Sequence, residues 1–554
     1  MFHQYRAPGE ILAKTFHDNW ECNALSNYGG EVYKFKDVAR KIKELHPVFE
    51  SCKLKAGDTV AICGKNHANW AVSFLAVFSY GAVPVPLLHE FTPANIHHLV
   101  NHSESKLLFV DEQIWKSLDI AQMQDVRAVI QIETLSVIYS RDKKVQEMSQ
   151  NVADLFARKY PEGFTPDDFD FYRGKPDELA IINYTSGTSG FSKGVMLPHR
   201  SFWSNLDFGF GIYTGLDNTT DMVSILPSAH MYGLMFEIMY QLVCGTHVHF
   251  LTRVPSPKII TEAMGKVRPR LVIAVPLVIE KIYKNILQPV LDKPGIRFAR
   301  RWVPFFDKLL LGRMRKSLVE AFGGNFSEVI IGGAAFNKEV EAFFYKMKFP
   351  FTVGYGMTEC GPIITYADWR EAKVGSSGKV APNMELRIDS PDPEHIPGEI
   401  QCRGANVFLG YFKNEEATKQ VFTDDGWFKT GDMGIVDKDG YLFIKGRCKC
   451  MLLGPSGQNI YPEELESVVN NQKYVVESLV IEDKGALVAL VYPDYKKAER
   501  DGLDRDGLQK HIEADVAVLN KEFPVYSHIK SVELLAEDFE RTPKKSIKRY
   551  LYQR

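Results

Sequence analysis

The sequence predicts an α/β protein. A large N-terminal domain carries helix-covered, mostly parallel sheets plus a β-rich subdomain, and a small α+β C-terminal domain follows. Three observations predict this. The chain has 554 residues, more than one hydrophobic core usually serves. From about residue 58 to 355, short β-branched runs alternate with helical stretches, the pattern of parallel strands covered by helices. After Gly375 strand-like pieces follow one another without helices, and beyond Gly446 strands and helices mix again.

The elements follow in order. Expected strands are Thr59–Cys63, Lys106–Val110, Ala180–Tyr184, Met222–Leu226, Thr246–Leu251, Arg270–Pro276, Glu328–Ile331 and Phe351–Val353. Helices are expected from Pro198, from Pro257 and over Pro276–Leu287, where proline stands at a helix start and apolar residues recur at the helical period. The longest uncharged run, Trp70–Leu88, is long enough for a membrane span, but Gly81, Pro84 and Pro86 divide it into a buried helix and strand. In the β-rich part, Met384–Ile388, Glu399–Arg403 and Gly434–Lys445 read as strands, the last a hairpin turning at Asp439-Gly440. The C-terminal unit should hold a helix opened by Pro462, a hairpin over Glu477–Tyr492 and a helix over about Leu508–Leu519. The domains are expected at 1–446 and 447–554.

Composition narrows the function. The chain is 45% hydrophobic and 25% charged, which excludes disordered, collagen-like and repeat-array proteins. A net charge of -2 makes the whole chain no partner for nucleic acid. Eight cysteines are too few for a disulfide scaffold, and Cys448 and Cys450 read as reduced thiols rather than a zinc pair. The N-terminus shows no apolar signal core, so a cytoplasmic protein is expected, with peripheral membrane contact left open. Oligomeric state is also open.

The strongest local signal is Tyr184–Gly194, YTSGTSGFSKG, read as a loop between a strand and a helix. Gly187 and Gly190 stand among Thr185, Ser186, Thr188 and Ser189, with Lys193 behind. Backbone N–H groups, short hydroxyls and one cation suit a phosphate. It is not a Walker A loop, because Ser192 occupies the second glycine position. A flexible surface loop is the alternative. His98 and His102 lie one helical turn apart, and His247 and His249 share one strand face. No nearby acid completes a metalloprotease pattern around His98 and His102, and neither pair is expected to bind metal.

YTSGTSGFSKG resembles the signature of the AMP-forming, adenylate-forming enzymes, with Ser189, Phe191 and Ser192 as departures. Further resemblances follow in the family's order: LPSAHMYG at Leu226–Gly233, GGAA at Gly332–Ala335, YGMTE at Tyr355–Glu359, Tyr411 with GWFKTGDMG at Gly426–Gly434, the hinge at Gly446–Lys449, and NIYPEE at Asn459–Glu464. AICGKNHANW and YGAVPVPL resemble the long-chain acyl-CoA synthetase branch.

The resemblance implies a two-step reaction. A fatty acid carboxylate, expected to be long-chain, attacks the α-phosphate of ATP, and coenzyme A then displaces AMP. It implies that Thr185–Gly190 and Lys193 hold the outer phosphates. Gly333, Ala334 and Ala335 would form the adenine-side loop, and Tyr355, with Gly356 and Met357 beside it, would stack on the base. Thr358 would donate to the α-phosphate and Glu359 would hold Mg²⁺. Asp432 and Arg447 would bind the ribose, and His230 would stand at the mouth of the acyl pocket or be a core histidine. Lys449 would be the hinge, and Gly457 would line the thiol tunnel.

One departure bears on catalysis. The family keeps an adenylation lysine near the C-terminus, in a segment that Arg541–Arg549, RTPKKSIKR, resembles. Without a gap, Ser546 falls on the lysine position and Lys545 on a glycine. Lys545 serves if the register slips, and Lys544 and Lys548 are further candidates. Two alternatives follow. One is a ligase loading a carrier protein, which would be separate because no carrier domain precedes Arg554. The other is a catalytically weak acyl- or nucleotide-binding protein.

Overall fold

The protein is described by a computed structural model covering residues 5–185, 192–212, 215–253, 256–453, 459–542 and 546–554. Its N-terminal part is α/β, as the alternation predicts. Strands Val83–Leu87, Thr59–Cys63, Leu107–Val110 and Ala128–Gln131 run parallel, and Val137–Ser140 closes the edge antiparallel. A second sheet sets Asp221–Ser224, His247–Phe250 and Asn23–Asn27 parallel, with Val32–Lys34 antiparallel at the edge. A third sets Leu271–Ala274, Glu328–Ile331 and Phe351–Val353 parallel.

The apolar run divides as its glycine and prolines require. Ala68–Tyr80 is a helix buried almost throughout, ended by Gly81 at φ +83°, and Val83–Leu87 is a fully buried strand. Pro84 and Pro86 are tolerated because Val83–Leu87 is an edge strand. Among the described residues no helix is long and apolar enough to cross a membrane.

Three expectations need correction. Leu179–Thr185 pairs antiparallel with Lys193–Pro198, so the segment between them joins a hairpin instead of leading into a helix. The helix expected from Pro198 starts at His199, after that second strand. The β-rich part is not free of helices, since Glu415–Val421 is one, capped by the Asn414 side chain.

Met384–Asp389, Gly398–Gly404, Phe428–Val436 and Leu442–Arg447 form an antiparallel sheet whose last turn closes at Gly440, φ +83°. In the C-terminal part, Val475–Asp483, Ala486–Pro493 and Ile529–Leu534 pack against helices Pro462–Val469 and Arg505–Leu519. One apolar core runs from Ile11 to Leu442, and separate cores serve the C-terminal part from Ile460 onward.

Candidate active site

Three motifs leave the carboxyl ends of parallel strands, where open α/β sheets keep their ligand crevices. Leu226–Gly233 follows strand Asp221–Ser224, Gly332–Ala335 follows Glu328–Ile331, and Tyr355–Glu359 follows Phe351–Val353. Residues as far apart in sequence as His230 and Thr358 thereby face one cavity. Of the residues singled out above, His230, Gly333, Tyr355, Gly356, Met357 and Thr358 line it. Ala334 and Ala335 stand exposed outside that lining. The rest of the wall is largely apolar: Phe208, Phe236, Tyr240, Leu271, Ile273 and Ile330.

Backbone geometry explains two glycines here. A Cβ on Gly356 would meet the Pro362 carbonyl oxygen at 2.2 Å, and Gly333 has φ +90°. The His230 loop is pinned from behind. Asn66 donates to the Leu226 carbonyl at 2.6 Å and accepts from the Ser228 N–H at 2.8 Å, while Asn183 donates to the Ala229 carbonyl at 2.9 Å. His230 caps the short helix after it, its Nδ1 accepting from the Tyr232 N–H at 3.3 Å.

Glu359 sits in a single 3₁₀ turn, Thr358–Cys360, with both Thr358 and Glu359 buried. Tyr411 donates its hydroxyl to Glu359 Oε1 at 2.9 Å, and the Lys193 ammonium lies 4.6 Å from the centre of the Tyr411 ring. The hairpin base is thereby joined to the acid: Lys193 pairs across from Thr185 in the ladder. Ser186, Gly187, Thr188, Ser189 and Gly190 lie outside the described residues. A buried carboxylate oriented by a tyrosine hydroxyl suits Mg²⁺, which takes oxygen donors and bridges phosphates.

The sequence profile of the AMP-binding enzyme family matches residues 13–412, and that of the AMP-binding enzyme C-terminal domain matches residues 451–554. The chain belongs to the AMP-binding enzyme family. Among curated AMP-binding relatives, a protein named long chain acyl-CoA synthetase 6, peroxisomal, from Arabidopsis thaliana is 29% identical over 474 residues, 79% of this chain and 65% of that protein. This chain therefore spans just under two thirds of that relative's length. A 4-coumarate–CoA ligase-like protein from Oryza sativa is 31% identical over 453 residues, covering 79% of this chain and 72% of that protein. The same fold appears in o-succinylbenzoate CoA synthetase from Bacillus subtilis, solved with its acyl-adenylate. That match has a TM-score of 0.75 at 20% identity, covering 99% of this chain and 98% of that one.

In this AMP-binding enzyme Tyr355 ties one further carboxylate, Asp432, to the cavity wall. Asp432, on strand Phe428–Val436, stands opposite Arg447 in the ladder, and Arg447 Nε meets Asp432 Oδ1 at 3.2 Å. Burial pushes the Asp432 carboxyl above its ordinary range, against the pull of Arg447. Lys449 is exposed in the 3₁₀ turn Cys448–Cys450 that follows. Gly457 lies outside the described residues.

The C-terminal tail is tied down on both sides of residues 543–545. Thr542 N–H donates to the Ser546 carbonyl at 2.8 Å, and Arg541 bridges Ile547 antiparallel. Arg541 pairs with Glu477, Arg549 pairs with Glu466, and Lys548 meets Glu540 at 3.2 Å. Lys544 and Lys545 lie outside the described residues, between the closed ends. Ser546 is exposed.

Sequence reading missed three contributors. Tyr411 was one aromatic in a motif until the fold set it on Glu359. Asn66 gave no signal beyond AICGKNHANW. Glu237 stands outside every motif read from the sequence, yet it is fully buried under the His230 loop.

Proposed function

We propose that the chain uses Mg-ATP to activate a fatty acid to its acyl-adenylate and passes the acyl group to coenzyme A. The observation that carries this reading is the cavity itself. Its lining joins Tyr355, Thr358 and His230, groups suited to a nucleotide and a carboxylate, to an apolar wall suited to a hydrocarbon chain. The name of the Arabidopsis relative supports the fatty acid, whereas that of the Oryza relative names an aromatic acid.

In the first step a carboxylate oxygen attacks the α-phosphorus and pyrophosphate leaves. Lys193 and the hairpin hold the outer phosphates, and Thr358 donates to the α-phosphate. Glu359 would hold Mg²⁺, with Tyr411 fixing the orientation of its carboxylate; the ion supplies charge neutralisation on the phosphates. Lys545 supplies the ammonium that meets charge on the α-phosphate oxygens as it builds. Asp432 and Arg447 hold the ribose. In the second step the thiol attacks the acyl carbon, its proton is lost, and AMP leaves.

The two steps call for two arrangements of the domains 1–446 and 447–554 about Lys449. The change of core between Leu442 and Ile460 supports that division. Gly457 is proposed to give the thiol close passage.

A surface patch supports peripheral membrane contact by a chain that takes up lipid. On helices Pro294–Trp302 and Phe306–Ala321 and the turn between them, Phe298, Trp302, Phe305 and Leu309 are 64–79% exposed. Lys293–Lys316 carries eight Lys or Arg and one acid, Asp307. Exposed aromatics among cations fit an anionic lipid surface. Co-sedimentation with vesicles containing phosphatidylglycerol should fall when Trp302 and Phe305 are changed to Ser.

The decisive test is pyrophosphate release across acids from short to long, with Mg-ATP and with or without coenzyme A. The reading expects release that needs an acid, and an acyl-CoA product. No release at any chain length sinks it. A product that forms only on added carrier protein favours the carrier-loading reading.

A further inference from the structure

His247 and His249 project from the same face of strand His247–Phe250, their ring centres 3.9 Å apart. The sequence alone gives this pair no metal-binding expectation, because no acid partner is visible beside HVH. Parallel pairing supplies one: Asp221 stands opposite His247 on one side, and Ser26 opposite His249 on the other. Asp221 Oδ1 lies 3.2 Å from His247 Nδ1 and 2.8 Å from His249 Nε2. Ser26 Oγ lies 3.0 Å from His247 Nε2 and 3.0 Å from His249 Nδ1. All four ring nitrogens are engaged by these two oxygens.

The protons do not suffice for these four contacts. Two neutral imidazoles and one hydroxyl supply three, and a carboxylate supplies none. If both imidazoles turn their N–H toward Asp221, two bare nitrogens face the single proton of Ser26. If both turn their N–H toward Ser26, its two lone pairs accept them. Two nitrogen lone pairs and a carboxylate oxygen then converge on one point, an arrangement that a cation completes.

We propose that Asp221, His247 and His249 bind one divalent transition metal ion, zinc by donor type, with Ser26 orienting both imidazoles from behind. Histidine ligands almost always donate their second N–H in this way. The three donor atoms lie within 4.8 Å of one another, in reach of zinc bonds of about 2.0–2.2 Å after a small opening. A polar cleft of about 370 Å³, lined by Asp221 and His247 together with Glu21, Cys22, Asn218 and Thr220, gives an entry path and room for a water as fourth ligand.

The site is structural. Asp221 and His247 are the first residues of their strands, whereas the nucleotide motifs leave the opposite, carboxyl ends. A bound ion would tie three parallel strands, Asn23–Asn27 through Ser26 and the other two directly.

The test uses the full-length protein, stripped with a chelator and titrated with zinc and with cobalt. Expected are one equivalent of zinc by elemental analysis, a visible absorption band from bound cobalt, and a higher Tm with zinc. All three should be lost in Asp221→Asn and in His249→Gln. Equal zinc binding by the variants overturns the proposal. If the variants fail to fold, the wild type decides alone, because absence of stoichiometric zinc also overturns it. So does a wild-type Tm that responds only to pH, for then the fourth proton, not a metal, completes the cluster.

Discussion

Tyr355 donates its hydroxyl to Asp432 Oδ2 at 2.7 Å, across 77 residues of sequence. The bond joins the strand end that carries YGMTE to the antiparallel sheet that carries Arg447, so this side of the cavity is set by two sheets at once. Asp432→Asn removes the charge that Arg447 faces while keeping an acceptor. The expected result is a KM for ATP raised about 10–100-fold, the range for a lost charged hydrogen bond, with the KM for the acid unchanged. Tyr355→Phe should shift the same constant less. Steady-state kinetics with each substrate varied in turn checks both, and an equal change in both KM values would show a general loss of structure instead.

Glu359 and Tyr411 make a parallel case for the metal. Tyr411→Phe leaves the carboxylate in place and removes the hydroxyl that orients it. Loss of such a supporting partner typically costs 10–100-fold in metal affinity. The Mg²⁺ concentration giving half-maximal pyrophosphate release should therefore rise about tenfold, with activity restored at high Mg²⁺. Glu359→Gln should not be rescued in that way.

Much of this was legible because it is local. Gly81, Pro84 and Pro86 punctuate the uncharged run, and helix and strand fall where they allow. The motif order placed His230, Gly333, Tyr355, Gly356, Met357 and Thr358, which the fold collects around one cavity. What failed depends on partners distant in sequence. Lys193–Pro198 is short and holds a glycine and a proline, so its strand character comes from pairing with Leu179–Thr185. Glu415–Val421 is seven residues long with its signal mainly in the Asn414 cap. Nothing in HVH reveals that Asp221 will stand opposite it.

Glu237 gives a pH signature. It is fully buried in the π-helical turn Leu234–Met239, where it accepts from Ser224 Oγ at 3.0 Å and from the N–H groups of Ile225 and Leu226 at 3.3 and 3.0 Å. Burial outweighs these donors and pushes its carboxyl from 4.5 to about 8. A folded value above the unfolded one means the proton stabilises the fold. That contribution is full below about 4.5 and is lost as pH rises through about 8. Between pH 7 and 9 the loss is roughly 1.4 kcal/mol. Thermal melts should show Tm falling over that interval, and falling less in Glu237→Gln, which starts lower because its amide faces three donors with one acceptor. Identical slopes in both proteins would remove Glu237 as the cause.

On the proposed function, the adenylation lysine has to come from the segment Arg541–Arg549. Ser546 stands at the expected position, but its backbone carbonyl is bound by Thr542 at 2.8 Å, and Lys548 is paired with Glu540. Arg541 and Arg549 are likewise anchored to acids of the C-terminal part. The ends of the segment are therefore fixed, and Lys544 and Lys545 lie between them in sequence, the candidates on the proposed function. Lys545 lies next to the expected position, so the register has to slip by one residue, with the neighbouring side chain turned the other way. Lys545→Ala should lower acyl-adenylate formation about 100–1000-fold, the usual loss for one donor to a developing oxyanion, while thioester formation from a supplied acyl-adenylate changes little. Ser546→Lys should leave the first rate near the wild-type value. A large rise on Ser546→Lys, with no effect of Lys545→Ala, would mean that the wild-type chain lacks its lysine and that its adenylation step is weak.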